Sequence, residues 1–120
     1  MKGLSPSEKK LTIKTKVVER IQKEYLSYEK ELKKEQEKLV ALVAANEGPY
    51  RLKKQEECIA ETQAVFYTVK ANLINEKEEL EKLIEDNDDE KLPATETWGK
   101  AKNTLEDTSK FINEHVLKSG

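Results

Sequence analysis

Val40-Ala41-Leu42-Val43-Ala44-Ala45-Asn46-Glu47-Gly48-Pro49-Tyr50-Arg51-Leu52 is the stretch on which the fold of this chain turns. A run of good helix formers stops at Asn46, and Pro49 opens a second run. Glycine suits a left-handed helix end, and proline suits a first helical position because its missing N–H is not needed there. The sequence therefore predicts a tight helix-to-helix turn with Gly48 as the left-handed residue and Pro49 as the start of the next helix.

Outward from this turn, positions alternating by three and four residues form two mirrored ladders. Before the turn they are Leu11, Lys14, Val18, Ile21, Tyr25, Tyr28, Leu32, Glu35, Leu39 and Leu42. After it they are Leu52, Gln55, Ile59, Thr62, Phe66, Val69, Leu73, Glu76, Leu80 and Leu83. Paired antiparallel, facing residue numbers total 94 in every layer, so that Leu42 meets Leu52, Leu39 meets Gln55, Tyr28 meets Phe66 and Lys14 lies beside Leu80. The pivot falls at Glu47, inside the turn.

Charge supports that pairing. Residues 1–34 carry ten basic and five acidic groups, whereas residues 76–96 carry three basic and ten acidic. An antiparallel hairpin lays the basic start of helix 1 along the acidic end of helix 2. Each exposed pair contributes only about 0.2–1 kcal/mol, but a parallel pairing would set like charges together, so the pattern selects topology more than it adds stability.

Beyond Asp86-Asn87-Asp88-Asp89-Glu90, Pro93 and the cap candidates Thr95 and Thr97 announce a shorter helix, whose ladder is Trp98, Ala101, Leu105, Thr108, Ile112 and His115. The expected fold is all-α: an elongated antiparallel three-helix bundle, long, long and short, coiled-coil-like and up-down-up. One domain is expected over 1–120, with helix 1 at about 7–46, helix 2 at about 49–86, helix 3 at about 95–117 and a flexible start over 1–6. If helix 3 pairs with helix 2 it ends opposite Phe66, leaving on the order of 20–25 Å of hairpin near the turn with no third partner. Such a tip is expected to be either the loosest part of the bundle or a contact surface.

At 120 residues, 38% charged and 36% hydrophobic, the chain suits a thin helical bundle better than a thick globular core. No apolar run is long enough to cross a bilayer, and the N-terminus has charges where a signal peptide needs apolar residues, so an intracellular, non-membrane protein is expected. A single cysteine excludes an internal disulfide. Cys58 has no partner base in sequence and reads as a small buried residue at the flank of the seam. His115 reads as an end-of-helix residue.

Catalysis needs convergent groups in a sheltered pocket, and no triad, metal cluster or phosphate-cradling glycine loop stands out. The Asp86-x-Asp88-x-Glu90 spacing resembles the start of a calcium loop. Lys91 replaces the required glycine and Thr97 the closing glutamate, so it reads as a solvated acidic linker. Glu19, Glu24, Glu29 and Glu31 interrupt the basic residues of helix 1, which leaves no continuous positive stripe for nucleic acid. Polar seam residues Glu35, Gln55, Thr62 and Glu76 read as register-setting layers. Off-seam apolar Val17, Leu26, Val40, Tyr67 and Ile74 divide between contacts with helix 3 and anchors for a partner.

The stretch Leu11-Thr12-Ile13-Lys14-Thr15-Lys16-Val17-Val18-Glu19-Arg20, with Lys23-Glu24 and Tyr28-Glu29-Lys30-Glu31, resembles the opening of the tubulin-folding cofactor A family. Tyr50 and Leu52-Lys53-Lys54-Gln55 resemble the start of that family's second helix, and Asn75-Glu76-Lys77 fits the same order. The likeness spans roughly residues 11–117. It departs in a ten-residue N-terminal extension, in Pro93 with a longer second linker, and in Gly99 inside the third helix.

The resemblance implies a cytosolic, cytoskeleton-associated three-helix bundle that is not an enzyme and needs no cofactor. Its implied partner is β-tubulin, held after release from the cytosolic chaperonin until other tubulin-folding cofactors join it to α-tubulin. Carried over by position, the implied contact residues are Lys14, Lys16, Arg20, Tyr28, Glu29 and Lys30 on the first helix and Tyr50, Lys53 and Lys54 on the second. The alternative is a non-enzymatic coiled-coil scaffold or tether joining two proteins. An exposed apolar tip is as consistent with a homodimer as with a partner site.

Overall fold

The computed structural model describes residues 5–86 and 95–117. Three α-helices follow one another: α1 at Pro6–Ala44, α2 at Pro49–Asp86 and α3 at Glu96–Phe111. A π-helical turn, Ile112–Leu117, continues α3. No strand occurs among the described residues, and the fold is the all-α, long, long and short helical architecture read from the sequence.

Each boundary has a local cause. At the start of α1, the Glu8 amide donates to Ser5 Oγ at 3.2 Å and the Ser5 amide donates to the Glu8 carboxylate at 3.3 Å. This is a reciprocal capping box with Pro6 in the first helical position. Of the flexible start expected over 1–6, residues 1–4 lie outside the described residues, while Ser5 and Pro6 form the helix cap.

The central turn corrects one expectation. Asn46, not Gly48, is the left-handed residue, with φ 58°, and no described glycine has positive φ. The Asn46 amide donates to the Val43 carbonyl at 3.0 Å and the Glu47 amide to the Leu42 carbonyl at 3.1 Å. These two bonds make a Schellman ending, for which asparagine is the usual substitute for glycine because its short polar side chain tolerates that backbone region. Gly48 instead accepts from Arg51 and Leu52 through its carbonyl at 3.1 and 3.3 Å, and Pro49 opens α2.

Thr95 caps α3, its hydroxyl accepting from the Trp98 amide at 3.1 Å. The acidic linker, with Asp88, Glu90 and Pro93, lies outside the described residues.

The chain forms two compact units. The first comprises residues 1–22 and 71–120, the second residues 23–70. In the first, Leu11, Val18 and Ile21 of α1, Leu73, Leu80 and Ile84 of α2, Ala101 and Thr108 of α3 and Ile112 of the π turn are buried. Thr15 is buried as well, and the α2 seam ends on buried Ile84 with Leu83 half-buried. Positions flanking the ladder close over here, where α1 meets α2 through Lys14 and Glu76 and α3 through Gln22 and Thr108, because a helix with two neighbours buries a wider stripe than a two-helix seam does. Thr108, fully enclosed on α3, donates its hydroxyl to the Gln22 side-chain oxygen of α1 at 2.8 Å.

The second unit contains only α1 residues, the turn and α2 residues. Its buried side chains are Tyr25, Gln55, Ile59, Phe66 and Val69. Phe66 meets Tyr25, with ring centroids 4.8 Å apart at 52°, one seam position before the Tyr28 of its expected layer. Gln55 donates to the Glu35 backbone carbonyl at 2.8 Å, where Leu39 was its expected neighbour. The ladder members are right, but these contacts fall about one turn from the constant total of 94. Long side chains reach along the seam, and a tilted aromatic pair adds about 0.5–1.5 kcal/mol, which favours Tyr25–Phe66.

Candidate partner-binding surface

The family resemblance implies nine contact residues, and the two units hold different members of that set. Lys14, Lys16 and Arg20 fall in the first; Tyr28, Glu29, Lys30, Tyr50, Lys53 and Lys54 fall in the second.

Lys14 is held inside its unit. Its ammonium bridges Glu76 Oε1 at 3.0 Å and Glu79 Oε1 at 2.9 Å. The hydrogen bond to Glu79 is the largest influence raising the Lys14 pKa above its ordinary value, opposed by partial burial and reinforced by Glu76. The Glu79 carboxyl is correspondingly lowered, first by its hydrogen bond to Lys14. The basic start of α1 thus does meet the acidic end of α2. Lys16 and Arg20 are exposed. Lys16 lines a shallow polar groove between α1 and α3 with Glu19, Lys100 and Asp107, where opposite charges alternate.

In the second unit, Tyr50, Lys53 and Lys54 occupy the first turns of α2 and are exposed, Tyr50 at 73%. The Lys54 ammonium lies 5.7 Å from the Tyr50 ring centroid, a cation–π contact within the first turns of α2. Lys54 also lines a small hollow with Lys38, Leu42 and Arg51, and Arg51 pairs with Glu47 at 3.1 Å. Tyr28 and Glu29 are half-buried and Lys30 is exposed. These three stand about 20 residues before the Tyr50 group along the hairpin, so on α1 they lie well over 20 Å from the turn at about 1.5 Å per residue.

Among the described residues, apolar exposure is concentrated in the second unit. Leu26, Val40, Val43, Tyr50, Val65 and Tyr67 are exposed there, against Ile13 in the first. Leu26, Val40 and Tyr67 were among the off-seam residues expected to divide between helix 3 and a partner, and they stand in solvent, whereas Val17 and Ile74 are half-buried. Burial raises the Tyr25 phenol above its ordinary pKa, with Glu29 adding to it, which keeps that hydroxyl neutral in the seam.

Cys58 is exposed, a correction to its reading as a small buried residue. Position 58 precedes buried Ile59 by one residue, and one helical step of about 100° turns it out of the narrow two-helix seam. Local desolvation first, and then Glu35 and Glu61, hold its thiol above the ordinary value, the opposite of what activates a nucleophile. His115 is half-buried and stacks on Phe111, with centroids 4.2 Å apart. Among the described residues, no group of three or more His, Cys, Asp or Glu is placed to hold a metal ion. None of their helices is long and apolar enough to cross a membrane.

Comparison with known proteins places this geometry. The family described as Tubulin binding cofactor A matches residues 6–105. Tubulin-specific chaperone A of Gallus gallus is 32% identical over 101 residues, which covers 84% of this chain and 92% of that protein. The Homo sapiens tubulin-specific chaperone A is 31% identical over the same coverage. Among solved structures, human tubulin chaperone cofactor a superposes with TM-score 0.76 at 30% identity, covering 87% of this chain and 99% of its own. Tubulin folding cofactor A from Arabidopsis thaliana gives TM-score 0.75 at 29% identity, covering 87% and 96%. With a family match over most of its length and the same helical fold, the chain belongs to the tubulin binding cofactor A family.

Proposed function

We propose that this protein is a tubulin-folding cofactor in the cytoplasm that captures β-tubulin after release from the chaperonin and holds it until other cofactors join it to α-tubulin. The observation that carries this reading is the family match over residues 6–105, which includes both long helices and their turn. The surface is of a kind that supports it. Exposed aromatic and aliphatic side chains sit among lysines on preformed helices, so a folding intermediate can be covered without ordering cost on the cofactor's side. Holding requires only a higher affinity for the unassembled subunit than for the finished heterodimer. Neither nucleotide nor catalysis enters.

The exposed members of the nominated set, Lys16, Arg20, Lys30, Tyr50, Lys53 and Lys54, are the proposed contacts, with Tyr28 and Glu29 half-buried beside Lys30. Lys14, paired with Glu76 and Glu79, holds the part of α1 that carries Lys16 and Arg20. A direct test follows newly translated β-tubulin on native gels after chaperonin release, with and without this protein. A discrete, faster-accumulating β-tubulin complex supports the proposal, and aggregation at an unchanged rate counts against it.

A further inference from the structure

The second unit has two helices and a concave strip beside their seam. Leu26 and Leu32 of α1 and Phe66 of α2 form its floor. Leu26 is 44% exposed although it forms part of this floor, and Val40, two heptads further along α1, is 69% exposed. Leu26 and Val40 are separated by about 21 Å along the helix axis at about 1.5 Å per residue, four turns on one face.

The charges around the strip have one dominant sign. Lys30 and Lys33 line it from α1, and the Lys70 ammonium of α2 lies 4.5 Å from the Phe66 ring centroid. Glu29 is the carboxylate in the lining, and it also acts on the Tyr25 phenol. Three cations against one carboxylate, around leucine and phenylalanine, specify a complementary surface with an apolar stripe and acidic borders.

We propose that this strip receives an amphipathic helix of the partner protein, its apolar residues seated on Leu26, Leu32 and Phe66 and its flanking carboxylates facing Lys30, Lys33 and Lys70. The two α-helices already present offer the groove such a helix needs. On docking, Lys70 leaves the Phe66 ring for a carboxylate, which uncovers the aromatic floor. The identity of the partner as β-tubulin rests on the function proposed above. The groove's preference for acidic-bordered helices does not.

The test uses the full chain and two designed helical peptides with the same leucine stripe, one bordered by glutamates and one by lysines, measured by fluorescence anisotropy at moderate salt. The glutamate-bordered peptide should bind at least about tenfold more tightly. Leu26→Asp, and the double change Lys30→Glu with Lys33→Glu, should each weaken it by about tenfold, whereas Ile13→Asp, an exposed apolar change in the first unit, should not. Circular dichroism checks folding, and Leu26→Ser replaces Leu26→Asp if the latter unfolds.

Equal affinity for the two peptides, or binding untouched by the groove variants, overturns the proposal. So does a homodimer that Leu26→Asp dissociates, because a second copy then fills the strip. The same variants, mixed with chaperonin-released β-tubulin, separate the two readings. Undiminished capture by Leu26→Asp removes the groove and leaves the proposed function, whereas the expected peptide results with no β-tubulin capture by the wild-type chain remove the function and leave the groove.

Discussion

The side-chain amide of Gln55 donates to the backbone carbonyl of Glu35 at 2.8 Å, tying α2 to α1 through a bond that no apolar residue could make. Gln55 is buried at a seam position, so its amide would be costly if left unmatched. Gln55→Ala removes both the bond and part of the packing and should lower unfolding free energy by about 1–3 kcal/mol in urea titrations. Gln55→Leu should cost less, because it removes the donor while filling the space. Equal losses for the two would mean that the hydrogen bond, and not the volume, sets the cost.

The fork from Lys14 to Glu76 and Glu79 should give stability a defined dependence on pH. Lys14 is raised above its ordinary 10.5, so its contribution is fully present below that value and is lost as pH rises through the higher folded value. Glu79 is lowered below its ordinary 4.5, so its contribution is present above that value and is lost as pH falls through the lower folded one. Stability from the fork should be flat through neutrality. Lys14→Met should lower stability by about 1 kcal/mol at pH 7 and shrink the losses at both extremes. A variant with the wild-type pH profile would show that the fork contributes nothing.

Two substitutions in α3 should act in opposite directions. Thr95→Ala removes the hydroxyl that accepts from the Trp98 amide and should destabilise by about 1 kcal/mol. Gly99 lies inside the helix without positive φ, and an added Cβ would have nothing within 4 Å. Gly99→Ala should therefore stabilise by about 0.5–1 kcal/mol through the unfolded chain's lost freedom. Thermal unfolding of the two single variants and their combination checks both signs.

Between residues 36 and 58, Gln55 is the one buried side chain, while Leu39, Leu42 and Leu52 are half-buried. Local stability follows buried apolar contact, so amide exchange here should be faster than around Leu11, Val18, Leu73 and Leu80, which are fully enclosed. Uniform protection along both long helices in a monomer would contradict this.

Much of this fold is legible in the sequence because a helical hairpin writes its seam as a repeat. None of the ladder residues, from Leu11 to Leu83 and from Trp98 to His115, is exposed, including the polar members Lys14, Glu35, Gln55 and Glu76. The ends are legible in principle. Ser5-Pro6-Ser7-Glu8 contains the whole capping-box signal, and Asn46 is the second residue type suited to a left-handed ending, yet a nearby glycine outweighs it in a reading by propensity. What periodicity leaves open is detail that depends on side-chain reach. Tyr25 and Tyr28 are both seam residues, and which one meets Phe66 is decided by packing. Thr15 lines a groove together with α3 residues, so its burial involves a third helix, which a pairwise seam omits. For the surface, periodicity places Leu26 and Val40 off the seam but does not tell which neighbours cover them, and the outward turn of Cys58 has the same origin.

The most direct measurement is size-exclusion chromatography with light scattering of the purified protein mixed with β-tubulin freshly released from the chaperonin. The expected result is a stable complex of this chain with β-tubulin, free of α-tubulin, that the assembled heterodimer does not form. A folded helical protein that elutes apart from β-tubulin, or one that binds the heterodimer equally well, would contradict it.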